Sequence, residues 1–197
     1  MIIGSHNSWS YLSPRKWWMK LIAFTARCQD LSIKQQYYKG VRCFDLRIRL
    51  DNEGILSIAH GLIEYKYNFL DLYEDLEWLN TQSEQVSIRI LHEVRTRKQY
   101  TKESVENFVN LIIMLQCKFS KLKFWCGKNL YNWETDYEFP YKPSCEEKYA
   151  SVCSPKLIDD WYPRWFAKRN NQKIINKGTD KDILLIDFVN YGYRQIN

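Results

Sequence analysis

Two histidines of this chain each follow a short apolar segment, and an arginine lies in a segment where apolar and charged residues alternate. His6 follows the apolar opening, His60 follows segment 56–59, and Arg47 lies in segment 43–50. An imidazole exchanges a proton near neutral pH, and a guanidinium can bind two oxygens of one phosphate. Cleavage of a phosphodiester requires a base, an acid and positive charge of this kind. A histidine alone is more often a core or surface residue, but two of the chain's three histidines share this setting.

A carboxylate lies beside the arginine. Asp45 is two residues before Arg47, so both side chains belong to the same face of a strand. Asp45 could therefore support Arg47 or His60. An ion pair between Arg47 and Asp45 that only stabilises the fold is the alternative interpretation.

Two further carboxylates end or interrupt apolar segments. Asp187 lies inside segment 183–189, where an unpaired carboxylate would be costly, so it needs a partner. Glu93 lies near the end of segment 86–94, and its spacing places it on the same strand face as Arg89.

Hydrophobic periodicity predicts the elements that carry these side chains. In segment 43–50 aliphatic and charged residues alternate, which is typical of a strand with one buried face. Strands are predicted at residues 1–5, 43–50, 55–59, 86–94, 122–126 and 183–189. Helices are predicted at residues 15–28, 32–39, 69–79 and 103–116. Residues 129–178 show no clean period and are left without assigned elements.

The alternation of strands and helices predicts an α/β fold with parallel strands. Strands with one aliphatic and one charged face favour a barrel, because an open doubly wound sheet would bury both faces. A length of 197 residues is near the lower limit of a (β/α) barrel. We therefore expect an irregular, compact TIM-type (β/α) barrel that forms a single domain over residues 1–197.

Composition limits the function classes. The 16% aromatic content excludes a disordered chain, and no apolar run approaches the length of a membrane span. The net charge of +6 favours an anionic partner, but the basic residues are scattered, so we expect no nucleic-acid surface. The six cysteines lack zinc-site spacing. We expect reduced thiols, a monomer, and a cytoplasmic or peripheral membrane location, or secretion if a leader has been removed.

Four segments resemble the X domain of phosphatidylinositol-specific phospholipase C, in its bacterial, metal-independent form. They are residues 4–8 (GSHNS), 28–47 (CQDLSIKQQYYKGVRCFDLR), 56–61 (LSIAHG) and, more weakly, 183–190 (ILLIDFVN). The ordered set is specific, whereas a single His-Asn or His-Gly pair is not. The resemblance implies the phospholipase C-like phosphodiesterase fold.

The resemblance also implies residue roles. His6 would be the general base on the inositol 2-hydroxyl, and His60 the general acid on the diacylglycerol oxygen. Arg47 would hold the phosphate, Asp187 would orient His6, and Asp45 would support the site. The products would be a cyclic inositol phosphate and diacylglycerol.

Substrate binding is implied for Asn7, Glu93 and Arg89. Asn7 matches the calcium-dependent eukaryotic relatives, which carry a carboxylate where this chain has Arg47. Asn7, Asp45 and Glu93 could supply oxygen ligands to calcium. Because the Arg47 guanidinium would occupy the metal's place, we expect no metal and no cofactor.

A basic, aromatic segment follows the first histidine. It contains Lys16, Trp17, Trp18 and Lys20, and in the family a similar helix enters the lipid interface. The partner is therefore expected to be a phospholipid or phosphodiester at a membrane surface. An ordinary core helix is the alternative interpretation of this segment.

Two other functions remain open at this point. The first is a phosphodiesterase of the same superfamily that acts on a glycerophosphodiester, a sphingolipid or a soluble signalling diester. The second is a non-catalytic module that binds phosphoinositides. A module of that kind would be expected to have lost one of the histidines or the arginine.

Overall fold

The computed structural model describes residues 1–50, 53–94, 96–126, 148–152 and 162–191. The strands are β1 (Ile2–Ser5), β2 (Cys43–Leu50), β3 (Leu56–His60), β4 (Ile63–Glu64), β5 (Val86–His92), β6 (Leu122–Trp125), β7 (Tyr149–Val152) and β8 (Ile183–Ile186). The α-helices are α1 (Met19–Ile22), α2 (Ile33–Tyr38), α3 (Phe69–Asn80), α4 (Lys102–Lys118) and α5 (Pro163–Lys177), with 3₁₀ turns at Ala23–Thr25 and Arg97–Gln99.

Six of these strands form a curled, parallel half-barrel in the order β7-β8-β1-β2-β5-β6. The short strands β3 and β4 extend it as an antiparallel hairpin that pairs with the far end of β2. Within the described residues no ladder joins β6 to β7, but the rings of Trp125 and Tyr149 lie 5.1 Å apart across the gap. The predicted irregular α/β barrel is confirmed.

Alternation along the strands separates two cores. Phe44, Leu46 and Ile48 of β2 face the helices and belong to the large hydrophobic cluster. Cys43 and Trp125 belong instead to a small cluster on the inner side of the curved sheet, here called the lumen. The charged residues of β2 share the lumen face with Cys43, because side chains alternate along a strand.

The predicted helix over residues 15–28 is wrong. Only Met19–Ile22 is α-helical, and a 3₁₀ turn follows. The backbone N–H groups of Cys28 and Gln29 both donate to the Ser10 hydroxyl, which holds this end of the segment against the turn after β1. Such long-range bonds compete with helix formation, and periodicity does not reveal them.

Two elements, β7 and α5, lie in the region that was left unassigned. The polar helix α5 has few buried residues, so it has no apolar stripe to detect. Pro163 at its start and Gly178 at its end, with a φ of 67°, are signals that could have revealed it. All other predicted strands and helices occur within three residues of their predicted bounds.

The thiols of Cys28, Cys43, Cys117 and Cys126 are free. Cys145 and Cys153 lie outside the described residues. None of the described helices has the length and apolar character needed to cross a bilayer.

Candidate active site

The ends of two neighbouring strands bring His6 and Asp187 together. Ser5 pairs with Ile186 in the β1–β8 ladder, so the residues that follow them lie side by side. His6 Nδ1 lies 2.8 Å from Asp187 Oδ1, and both side chains are buried. Because an ionised carboxylate only accepts, His6 carries its proton on Nδ1. This contact gives Asp187 the partner that its burial requires.

Arg47 binds the other nitrogen of the same ring. Its Nη2 lies 2.6 Å from His6 Nε2. Because a guanidinium can only donate, Nε2 must be the acceptor, and His6 is a neutral imidazole in this arrangement. The lone pair that would serve a general base therefore points at the cation that would hold a phosphate.

Arg47 also joins two carboxylates of the lumen. Its Nε donates to Asp45 Oδ2 at 3.0 Å, and its Nη1 donates to Glu93 Oε2 at 3.4 Å. Although burial opposes ionisation, Arg47 and Arg89 hold the pKa of Asp45 far below its usual value. Asp45 and Glu93 in turn raise the pKa of Arg47 against the effect of burial. The guanidinium thus lies between two anions and keeps its charge.

His60 faces His6 across the site. The two ring centroids are 5.5 Å apart in a T-shaped arrangement. His60 Nδ1 donates to the carbonyl oxygen of Ala26 at 2.8 Å, so Nε2 is the nitrogen left to give or take a proton. Burial, the larger cause, and the charge of Arg47 lower the pKa of His60 to about 4. Its ring is therefore neutral at pH 7 unless another charge is added.

The turn after His60 is held by two side chains. Gly61 N–H donates to Glu93 Oε1 at 2.9 Å, and Arg49 Nη2 donates to the Gly61 carbonyl at 2.7 Å. A second bond, from Arg49 Nε to the Glu93 carbonyl at 3.1 Å, connects the two. Gly61 has a φ of 55°, which glycine adopts without the steric cost of a Cβ. Glu93 therefore connects Arg47 to the backbone beside His60.

Two residues expected to bind substrate are engaged within the protein. Asn7 is fully buried, with its backbone N–H on Asp45 and its side-chain amide 3.4 Å from the Ala26 carbonyl. The turn after β1 directs Asn7 inward, and the substrate-binding role of Asn7 stays a prediction. Arg89 donates to Asp45 Oδ1 at 2.6 Å and lies over the ring of Tyr149. Asp45 thus supports both arginines.

Cys28 and Gln29 belong to the site but carried no predicted role. Cys28 Sγ lies 3.8 Å from His60 Nδ1. The Gln29 amide donates to the carbonyls of His6 and Ile186, so it ties the ends of β1 and β8 together. Both residues lie in segment 28–47, which resembles the family, and that position was the available signal.

The basic, aromatic segment is exposed. Trp17 is 76% exposed and Trp18 39%, and Lys16 and Lys20 are exposed on either side of them. Met19 is buried and anchors the single turn of α1. The segment lies in the connection that follows β1, so it belongs to the same end of the barrel as His6.

Solved structures that share this fold include bacterial phosphatidylinositol-specific phospholipases C. A variant of the Staphylococcus aureus enzyme has a TM-score of 0.63 at 15% identity, covering 98% of this chain and 87% of that one. The Listeria monocytogenes enzyme has a TM-score of 0.59 at 15% identity, covering 95% and 87%. No family model and no curated protein sequence matches this chain. The chain shares the barrel-type fold of these enzymes.

Proposed function

We propose that this chain is a phospholipase C-type phosphodiesterase that cleaves phosphatidylinositol or a related phospholipid. The observation that carries the proposal is the contact of His6 with both Asp187 and Arg47, opposite the ring of His60. A base, its orienting carboxylate, a phosphate-binding cation and a second imidazole are then all within reach of one phosphodiester. The fold shared with the bacterial phospholipases C supports the same reaction.

The first step begins with an exchange of hydrogen bonds. When a phosphate binds, the Arg47 Nη2–H turns from His6 Nε2 to the phosphate oxygens, where a charge-assisted bond is stronger. The freed Nε2 takes the proton of the attacking hydroxyl as the new phosphorus–oxygen bond forms. Asp187 stabilises the imidazolium that results.

The oxygen that leaves phosphorus must gain a proton, and His60 donates this proton. In the free protein Arg47 helps to lower the pKa of His60, which disfavours the acid form. A bound phosphodiester anion offsets the charge of Arg47 and so raises the pKa of His60. The bound substrate thereby favours the protonated form of His60, which is the acid that completes the cleavage. The products are a cyclic phosphate and diacylglycerol.

The proposal includes no metal and no cofactor. Asp45 and Glu93 are the lumen carboxylates that a divalent cation would use, and both are bound to Arg47. A calcium ion at this place would have to displace a guanidinium that two anions stabilise.

A different phosphodiester is the second candidate substrate. Asn7, Glu93 and Arg89, which the resemblance connects with substrate binding, each make hydrogen bonds within the protein, although Asn7 Oδ1 and Arg89 Nε have no hydrogen-bond partner among the described residues. Because part of their hydrogen-bonding capacity is used internally, the chain is suited to a smaller or less specific headgroup than inositol.

The test is phosphorus NMR of the chain with vesicles of phosphatidylinositol and with a panel of glycerophosphodiesters and sphingolipids. A cyclic phosphate that appears before any monoester supports the proposal and identifies the substrate. His6→Ala and His60→Ala should each lower turnover about 10²–10⁴-fold. The control is Cys117→Ser, at an exposed position on α4. Monoester without a cyclic intermediate, or full turnover by either histidine variant, would contradict the mechanism.

A further inference from the structure

Three buried side chains of different types meet at the inner side of the site. His6, Cys28 and Asp187 each offer one ligand atom, and these atoms all lie within 4.8 Å of one another. Among the described residues, no other three His, Cys or carboxylate side chains bring their ligand atoms close enough together to bind one metal ion. The phosphodiester mechanism uses His6 and Asp187 but assigns no task to Cys28.

The ligand types favour a thiophilic cation. Zinc binds thiolate sulfur, imidazole nitrogen and carboxylate oxygen, commonly with three protein ligands and one open position. Calcium and magnesium prefer oxygen ligands alone, and only Asp187 of this group supplies one. A site of this composition therefore discriminates against the common cellular divalent ions.

The local charge also favours a cation at the thiol. Burial raises the pKa of Cys28 well above its usual value, and the nearby Asp187 and Asp45 raise it further. The same carboxylates that disfavour a thiolate attract a metal ion to that point. Arg47 acts in the opposite direction, but its own contacts with Asp45 and Glu93 offset much of its charge.

A residue near this group can also orient His6 when a metal ion is bound. If a metal ion takes Nδ1 of His6, the ring proton moves to Nε2, where the Asp45 Oδ2 lies 3.9 Å away. Metal-bound histidines commonly donate their other N–H to a carboxylate in this way. Arg47 must then give up its bond to Nε2. The thiol of Cys28 loses its proton to solvent, so binding releases one proton.

We propose that His6, Cys28 and Asp187 form a binding site for Zn²⁺ or a similar thiophilic cation, and that its occupation switches the enzyme off. The bound ion takes Asp187 away from His6 and leaves no lone pair on Nε2 to accept a proton. The inhibition rests on the proposed function, whereas the binding does not.

Cobalt(II) tests the binding directly, because a thiolate–cobalt bond adds a charge-transfer absorption in the near ultraviolet. The wild-type chain, kept reduced, should develop this absorption at a stoichiometry of one. Cys28→Ser should abolish it, and Asp187→Asn should weaken binding at least about tenfold. The control is Cys117→Ser, which removes an exposed thiol and should bind as the wild type does. The apparent affinity should rise about tenfold per pH unit, since one proton is released.

Zinc should displace the cobalt and inhibit turnover, and magnesium should do neither. Absorption that survives in Cys28→Ser, or that is absent from the wild type at millimolar cobalt, would overturn the site. Cobalt binding through Cys28 in a chain that cleaves no phosphodiester would leave the site standing and reject the enzyme. Turnover that zinc does not inhibit, in a chain that binds cobalt through Cys28, would reject the switch alone.

Discussion

At the scale of single residues, Arg47 acts on both histidines by different means. It occupies the lone pair of His6 through a hydrogen bond, and it acts on His60 through its charge. A bound phosphate that accepts hydrogen bonds from Arg47 would therefore free Nε2 of His6 and, at the same time, raise the pKa of His60. The coupling depends on a fixed positive charge, which arginine keeps at every accessible pH.

This coupling predicts how His60 titrates. Because Arg47 lowers the pKa of His60, Arg47→Gln should raise it from about 4 toward the ordinary value near 6.5. The rise should be partial, since burial is the larger cause and remains. NMR titration of the His60 ring protons measures it, with Arg169→Gln, at an exposed position on α5, as a control that also removes an arginine. An unchanged pKa in Arg47→Gln would contradict the coupling.

Arg47 also predicts the response to metal ions. Wild-type turnover should survive EDTA, because in the proposed mechanism the Arg47 guanidinium holds the phosphate and no metal ion takes part. Arg47→Asp should lower turnover sharply, since it replaces the cation with an anion beside Asp45 and Glu93. Three carboxylates would then form an oxygen site, so millimolar calcium should restore part of the activity. Loss of wild-type activity in EDTA that calcium restores would reject the metal-independent mechanism.

At the scale of elements, periodic segments were predictable and contacts between distant segments were not. Strand β2 was placed at its observed bounds, because its apolar and charged residues alternate over eight positions. The same alternation puts Asp45, Arg47 and Arg49 in the lumen. Residues 15–28 of the connection between β1 and α2 were predicted as one helix, yet the path of this connection depends on Ser10, which bonds residues eighteen and nineteen positions away.

The candidate site shows the same division. The side chains of His6, His60 and Arg47 could be named because their local sequences resemble a family. The roles of Cys28 and of the Ala26 carbonyl could not, because both depend on how the connection after β1 folds back over the site. The contact of Asn7 with Ala26 was missed for the same reason, whereas the contact of Arg89 with Asp45 depends on the register between β2 and β5.

The packing of β5 against α4 predicts a pH-dependent stability. His92 is fully buried and stacks on Phe108, and burial, the larger cause, and Arg49 lower its pKa to about 4. The folded pKa is below the unfolded value, so this stability is complete above pH 6.5 and is lost as the pH falls toward 4. The loss from this residue approaches about 3 kcal/mol.

Urea unfolding from pH 7 to pH 4 measures this loss. His92→Gln keeps a hydrogen-bond acceptor for the backbone N–H of Leu50 but cannot titrate. Its free energy of unfolding should therefore fall less steeply with pH than that of the wild type. His60 also has a lowered pKa, so part of the dependence should remain. Identical slopes for wild type and His92→Gln would show that His92 is not the group responsible.

At the scale of the whole molecule, the half-barrel gathers the candidate site and the exposed aromatics at one end. His6, Glu93 and Asp187 follow the carboxyl ends of β1, β5 and β8, which is where barrel active sites are built. The connection after β1 also carries α1. Its 3₁₀ turn lies against the start of α5, where Phe24 stacks on Tyr162. If this end of the barrel faces a membrane, the exposed tryptophans and lysines meet the lipid at the same end as the candidate site.

This arrangement predicts which residues bind a lipid surface. Trp17 and Trp18 place apolar rings with polar edges in solvent, and Lys16 and Lys20 flank them. Tryptophan suits the boundary of headgroups and acyl chains, and lysine adds attraction to anionic lipids. Replacing both tryptophans with alanine should weaken binding to vesicles that contain anionic phospholipid by at least about tenfold, because each buried ring contributes on the order of 1–3 kcal/mol.

The same variant should keep its turnover of a soluble phosphodiester, since neither tryptophan contacts the histidines or Arg47. The control is Met114→Ala, an exposed apolar residue on α4, which should change neither vesicle binding nor turnover. Binding is measured by sedimentation with vesicles, and turnover with a water-soluble substrate. A tryptophan variant that binds vesicles as the wild type does would show that the segment of residues 16–20 is not the docking surface. Equal loss on soluble and vesicle substrates would instead mean that the tryptophans support the fold of the site, because a docking residue acts only when there is a surface to dock on.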